Sequence, residues 1–148
     1  MTLMEFDAYD RRILAELQAD GRLSWSELGR RVHLSQPAVV ERVRKLEAAG
    51  VITGYRATVD AGALGYGIGA LVRVGRTRYE QMEALIAEMP EIEQAWNITG
   101  EDSWLLRISV VDVEHLDRVV SRLCLLAETS TSIVLKTLRA HQVLLPPA

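Results

Sequence analysis

Two amphipathic helical patterns lie end to end with only His33 and Leu34 between them. In "SWSELGRRV", Leu28 and Val32 mark one apolar face. In "SQPAVVERVRKLEAAG", Val39, Val43 and Leu46 recur at i, i+4 and i+7. Ser24 followed three residues later by Glu27 reads as a capping box, in which each residue satisfies a free amide of the other. Ser35 reads as the N-cap of the next helix, with Pro37 in its first turn and Gly50 just past its end. A two-residue break forces a sharp angle between the helices, as in a helix-turn-helix. A further helix precedes them in "FDAYDRRILAELQADG". Asp7 is its N-cap, Ile13, Leu14 and Leu17 form its stripe, and Gly21 is its stop.

The chain has 148 residues, enough for one ordinary domain or two small ones. Apolar residues make up 49%, which supports a packed core. No apolar run approaches the length of a membrane span, so no membrane association is expected. The start "MTLMEFDAYDRR" lacks the basic and apolar regions of a secretory signal. Cys124 is the single cysteine, which rules out an internal disulfide and fits a reducing cytoplasm. The net charge of −3 argues against a polyanionic partner, but it averages over an uneven pattern. From Arg22 to Arg56 there are seven basic residues against three acidic ones; from Ala61 onward there are eight against eleven. The basic surface therefore belongs to the first part of the chain.

After the third helix, "VITGYRATVD" is rich in β-branched and aromatic residues and reads as a strand or small wing. The glycine-rich "AGALGYG" reads as a linker. Then "IGALVRV" alternates as a strand, and "YEQMEALIAEM" places Met82, Leu85, Ile86 and Met89 on one helical face. "IEQAWNIT" and "SWLLRISV" read as strands. "VEHLDRVVSRLCLL" places Leu116, Val119, Val120 and Leu123 on a helical face, and "TSIVLKTLRAHQVLL" reads as a long strand or a strand with an extension. The order is β-α-β-β-α-β, the ferredoxin-like split βαβ. The expected boundaries are 1–51 for the helix-turn-helix domain, 52–66 for a strand and hinge, and 67–148 for the sandwich. Two helices cover only one face of a four-stranded sheet. The face carrying Leu71, Ala95 and Leu105 or their neighbours needs another cover, for which a second copy of the chain is the simplest candidate.

The third helix packs its stripe inward and leaves Gln36, Val40, Glu41, Arg44 and Lys45 toward solvent or a partner. Glutamine pairs bidentately with adenine and arginine with guanine, so Gln36 and Arg44 suit base edges. Arg42, Lys45, Arg30, Arg31 and Arg22 read as phosphate contacts, which position a protein on DNA without reading sequence. Ser35 is first a cap, and a helix N-terminus also accommodates a phosphate. The loop "TGEDSW" is open at this level to metal, catalytic, pocket and plain-turn readings. Chemistry removes two of them. His33, His115 and His141 lie in different elements without ligand spacing, so no metal is expected. Glu101 and Asp102 are neighbours that point apart, and no phosphate loop, nucleophile elbow or dinucleotide fingerprint occurs; no catalytic residue and no cofactor is expected. Cys124 reads as a small core residue. Trp96 and Trp104 read as core or interface anchors.

The stretches "FDAYDRRILAELQADGRLSWSELGRRVHLSQPAVVERVRKLEAAGVITGYRATVD", "WNITGEDSWLLRI" and "TSTSIVL" resemble, in this order and spacing, the leucine-responsive regulatory protein/AsnC ("feast/famine") family of transcriptional regulators. The resemblance implies an α+β chain. A (winged) helix-turn-helix domain is followed by a ferredoxin-like, ACT-like βαββαβ sandwich that oligomerises and senses small molecules, often amino acids. Its implied partners are double-stranded DNA, an amino-acid-like effector and further copies of the chain, as a homodimer or as tetramers and octamers. The implied location is the cytoplasm, in association with the nucleoid. Arg42 matches the family's regular arginine in the third helix. The implied effector residues are Thr99, Gly100, Glu101, Asp102, Ser103, Thr129 and Thr131. Gly100 matches the family glycine, but Ser103 stands where an aspartate is usual. Three explanations stay open: Asp102 substitutes through a shifted turn, the effector differs, or the site is not used. Thr129 and Thr131 are equally read as ordinary strand residues. Two further alternatives are an architectural DNA-binding regulator without an effector, and a sensing module without promoter binding.

Overall fold

The first helix, α1 (Ala8–Ala19), begins where the extended Asp7 accepts the amides of Tyr9 and Asp10. Asp10 returns a bond to the Asp7 amide, so a full capping box forms here. The computed structural model describes residues 5–147; the first four residues, which fall within the expected helix-turn-helix domain and the stretch read for a secretory signal, and Ala148 lie outside them. The second helix, α2 (Trp25–Val32), starts at Ser24, whose hydroxyl accepts the Glu27 amide at 3.2 Å. The expected reciprocal bond is missing, because the Glu27 carboxylate turns to Arg30 and Arg31 instead. The third helix, α3 (Gln36–Ala48), follows Ser35, which has the extended cap conformation but makes no side-chain cap bond.

The turn between α2 and α3 is made by backbone geometry. His33 adopts the left-handed region at φ 59°, and the Leu34 amide reaches back to the Gly29 carbonyl at 2.9 Å. A Cβ on Gly29 would stand 2.7 Å from the Leu34 carbonyl oxygen, so a bare Cα is required there. Ile13, Leu14, Leu28, Val32, Val39, Val43 and Leu46 form the core around this turn. A polar tie runs beside it. Arg42 on α3 stands 2.7 Å from Asp10 and 2.8 Å from Asp7, with its guanidinium 5.4 Å from the centre of the Tyr9 ring. Asp10 is buried, while Arg42 and Asp7 stay partly open to water.

The described chain divides into two compact units, residues 5–58 with 139–147, and residues 59–138. The first thus includes a C-terminal segment that the sequence places in the sandwich. Arg11 donates to the carbonyls of Pro146 and Pro147 at 2.6 and 3.0 Å. Gln18 and Leu144 exchange two bonds, at 2.7 and 2.9 Å. Together with Phe6, Leu14, Leu17, Ile52 and Tyr55, this segment borders an apolar cavity of about 470 Å³. The expected strand or wing within 51–60 is not formed. High β-propensity becomes a strand only where a ladder partner exists, and no described strand pairs with this stretch.

The second unit contains β1 (Ile68–Val74), α4 (Tyr79–Glu88), β2 (Ile92–Asn97), β3 (Trp104–Val110), α5 (Val113–Cys124) and β4 (Thr129–Ile133). The sheet order is β2-β3-β1-β4, antiparallel throughout. Ala70, Val72, Val74, Trp104, Leu106, Ile108 and Val110 pack against Met82, Met89, Leu116, Val119 and Leu123. Leu71 and Leu105 alternate to the other face, as expected. Ala95 does not: it opposes Leu106 on the helix side, and Trp96, opposite Leu105, takes its place. An irregularity in β2 between Ile92 and Gln94 adds a residue there and reverses the alternation. The long final strand is also shorter than its composition implies. Val134 donates once more to Gly69, and the chain then leaves the sheet.

Two substitutions test what holds the first unit. Gly29→Ala places a methyl against a carbonyl in a packed turn and is expected to cost about 1–3 kcal/mol, seen as a lowered melting temperature. Arg42→Ala leaves the buried Asp10 carboxylate without its cation, at about 1–3 kcal/mol, and denaturant unfolding followed by circular dichroism reads that loss. A melting curve unchanged by either substitution contradicts the packing described.

Candidate nucleic-acid interface and ligand loop

The outward side of α3 presents Gln36, Pro37, Val40, Glu41 and Arg44 on one shallow surface. Arg44 is exposed and, among the described residues, has no carboxylate within salt-bridge distance. Gln36 is exposed at the first position of the helix and Val40 is half-buried one turn later. Lys45 pairs with Glu41 at 2.8 Å across one helical turn, and the hydrogen bond from Lys45 lowers the Glu41 carboxyl below its usual range. Both partners are exposed, so water and salt weaken this pair and a phosphate can displace it.

The basic face of α2 is likewise prepaired. Arg30 reaches Glu27 at 2.6 Å; Arg31 reaches Glu27 and Glu16, each at 2.9 Å. Hydrogen bonds from Arg30 and then Arg31 hold the Glu27 carboxyl at about 2, so it is ionised at neutral pH. The excess of cations in the sequence is thus smaller on the surface than a count implies. Arg22, by contrast, makes no side-chain ion pair among the described residues; only its backbone amide is engaged, by Asp20. Ser35 is exposed, and its hydroxyl is not spent on the cap.

Arg42 requires a correction. Expected as a phosphate contact, it points back to α1 and is bound by Asp7 and Asp10. Arg42 lies three residues after Val39 and four before Leu46, beside the buried stripe, which turns it toward the neighbouring helix, whereas Arg44 lies off that stripe and faces out. Trp25, not assigned from sequence, is 38% exposed at the start of α2 and borders a hollow with Arg22, Ser24, Gln36 and Tyr55. Its position outside the Leu28 and Val32 stripe is the signal that marks it.

The loop between β2 and β3 is closed by Ser103. Its carbonyl accepts the Ile98 amide at 2.8 Å and the Asn97 side chain at 2.9 Å, and its amide donates to Val74 at 3.0 Å. Gly100, at φ 126°, provides the backbone freedom for the bend, and a Cβ there would meet no neighbour. Asp102 turns to Arg73, 3.9 Å away. Thr99 and Glu101 are exposed. Thr129 pairs with Val74 in the ladder, which brings it to the same end of β1 as this loop; Thr131 sits further along, opposite Val72. Both threonines lie on the helix-covered face. The Thr129 hydroxyl is 3.1 Å from the Cys124 sulfur, and Cys124 is exposed rather than the core residue expected. His33 caps α2, His115 is 3.0 Å from Glu91, and His141 belongs to the irregular C-terminal segment. Among the described residues no helix is long and apolar enough to cross a membrane.

Residues 6–47 match the model of the AsnC-type helix-turn-helix domain, and residues 70–144 match that of the Lrp/AsnC ligand binding domain. The leucine-responsive regulatory protein of Rhizobium meliloti (strain 1021) is 39% identical over 142 residues, covering 92% of this chain and 91% of that protein. The solved structure of LrpC from Bacillus subtilis superposes with a TM-score of 0.88 at 34% identity, over 93% of this chain and all of the other. A transcriptional regulator of Neisseria meningitidis, solved in complex with L-methionine, gives 0.87 at 30% identity, over 95% and 96% of the two chains. With both halves matched in order, the chain belongs to the Lrp/AsnC family of helix-turn-helix transcriptional regulators, and it is not an enzyme.

Proposed function

We propose that this regulator binds promoter DNA as a homodimer in the cytoplasm, on the nucleoid, with α3 of each subunit in the major groove. The observation that carries this is the outward face of α3, where Gln36 and Arg44, which has no carboxylate partner among the described residues, share one shallow surface in an AsnC-type helix-turn-helix. The half-sites are about one helical turn apart, ~34 Å. Arg44 reads guanine, and Gln36 reads adenine. Arg22, Arg30, Arg31 and Lys45 hold phosphates, the last three after exchanging their carboxylate partners, while the Ser35 hydroxyl supplies a neutral contact. The exposed sheet face with Leu71, Trp96 and Leu105 supports pairing of two sandwich units, because apolar residues there lack a helix above them.

The effector reading is an α-amino acid at the Thr99–Ser103 loop, at an interface between subunits. Support comes from the matched ligand-binding domain and from the methionine complex of the Neisseria relative. The departure at Ser103 is met by Asp102, which the turn aims at Arg73. The pair offers a carboxylate for an ammonium group and a guanidinium for a carboxylate. Thr129 and Thr131 lie on the helix-covered face, across the sheet from Arg73, and are less well placed for this pair. A ligand there acts only by favouring one assembly, so it shifts the balance among dimer, tetramer and octamer.

Gel shifts on the protein's own promoter region across a salt series test the DNA reading. Binding is expected to fall steeply with salt. Arg44→Ala should narrow the gap between cognate and scrambled sites by roughly 5- to 150-fold, whereas Lys45→Ala should weaken both alike. Salt-insensitive or absent binding refutes the reading. Melting shifts with each of the twenty amino acids, followed by sizing of any hit, test the effector. Asp102→Asn should abolish a shift and Ser103→Asp should alter it; twenty flat curves exclude an amino-acid effector.

A further inference from the structure

Trp25 has no core to fill. It is the first residue of α2, it lies off the Leu28 and Val32 stripe, and it is 38% exposed. A single exposed aromatic is ordinary on a protein surface, but its surroundings here are specific. It borders a hollow of about 490 Å³ together with Arg22, Ser26, Gln36 and Tyr55. Gln36 also borders the shallow surface with Val40 and Arg44, so the hollow continues directly into the face of α3 that reads bases. Among the described residues no carboxylate lines the hollow, and the one cation there, Arg22, has no ion-pair partner. The Tyr55 hydroxyl is already engaged by Glu47 at 3.0 Å.

The chemistry of these groups selects the occupant. An indole offers a broad apolar face and one N–H donor at its edge. The sugar–phosphate backbone of duplex DNA offers the complement: a deoxyribose with apolar C–H surface, flanked by phosphate oxygens. Contacts of this kind carry no sequence information but fix the register in which base-reading residues meet the groove. We propose that Trp25 is a DNA contact, with its ring against a deoxyribose next to the bases read by Gln36 and its Nε1 donating to the adjoining phosphate, while Arg22 holds the next phosphate. The proposal rests on the DNA-binding reading above. Trp25 sets where α3 lies along the groove, and Gln36 and Arg44 then read what is there.

The test uses the full-length protein and a labelled duplex from its promoter region. Wild-type intrinsic fluorescence is expected to change when DNA is added. Trp25→Phe keeps an aromatic ring but removes both the fluorophore and the N–H; Trp96 and Trp104 remain, and the DNA-induced change is expected to disappear. Affinity should fall about three-fold in Trp25→Phe and roughly ten-fold in Trp25→Ala. The salt dependence should keep its slope, because no charge is removed. Arg22→Ala should instead reduce that slope by about one phosphate contact. Unchanged affinity in both Trp25 variants, or a DNA-induced fluorescence change that persists in Trp25→Phe, overturns the proposal while leaving the DNA reading intact. Absence of salt-sensitive binding by the wild type overturns the underlying reading and this contact with it. Trp25→Phe keeps the test decisive if the alanine variant melts early.

Discussion

The carbonyl oxygen of Leu34 lies against the bare Cα of Gly29, and the DNA-facing geometry of the first unit follows from that approach. It allows α2 and α3 to meet with three residues between them. The hydrogen bond from Leu34 to Gly29 and the left-handed His33 close the same turn. Once the angle is set, Val39, Val43 and Leu46 must face inward, and the opposite side of α3 is left for Gln36, Val40 and Arg44. The outward surface of α3 is thus a by-product of close packing elsewhere, which is why the groups proposed to read DNA need no bonds of their own to hold them in place.

Arg42 and Arg44 show how two like residues on one helix are divided by a rotation of two positions. Arg42 meets Asp7 and Asp10, the same two residues that cap α1, so a single cation joins the start of one helix to the middle of another. Arg44 meets water. Removing Arg42 leaves the buried Asp10 carboxylate without its cation, which costs stability, whereas an outward guanidinium is open to a planar partner. The pairing of Arg30, Arg31 and Lys45 lies between these limits. Their carboxylates keep the protein surface from being strongly basic in isolation, and in the proposed complex they would yield to the phosphates.

Much of this architecture is legible in sequence because it depends on local periodicity. The three helices of the first unit, the β-α-β-β-α-β order and most core residues follow from spacing of apolar side chains. What escapes depends on single extra residues or distant partners. One irregularity beside Glu93 exchanges Ala95 for Trp96 on the open face, and no propensity scale marks it. Glu27 fits a capping box by spacing, yet two arginines downstream compete for its carboxylate. Residues 53–60 have strand composition without a strand to join. In the candidate ligand loop the bend at Gly100 is readable from the sequence, but the turn of Asp102 toward Arg73 is not, since it depends on which face of β1 carries the arginine. Trp25 was visible as an aromatic outside the apolar stripe, but only the fold brings it beside Gln36.

The segment that reaches α1 from the far end of the chain has a consequence in time. Gln18 and Leu144 are 126 residues apart, and Arg11 and Pro146 are 135 apart. Ribosomes add about 5–20 residues per second, so α1, α2 and α3 emerge roughly ten seconds before these partners exist. The local contacts of the helix-turn-helix can form during that interval, but its outer apolar side, with Phe6, Leu14 and Leu17, waits open until residues 144–147 have been made. The DNA-binding unit is therefore synthesised before the sensing unit yet finished after it, and translation must pass through the whole sensing unit before the final hydrogen bonds of the head can close.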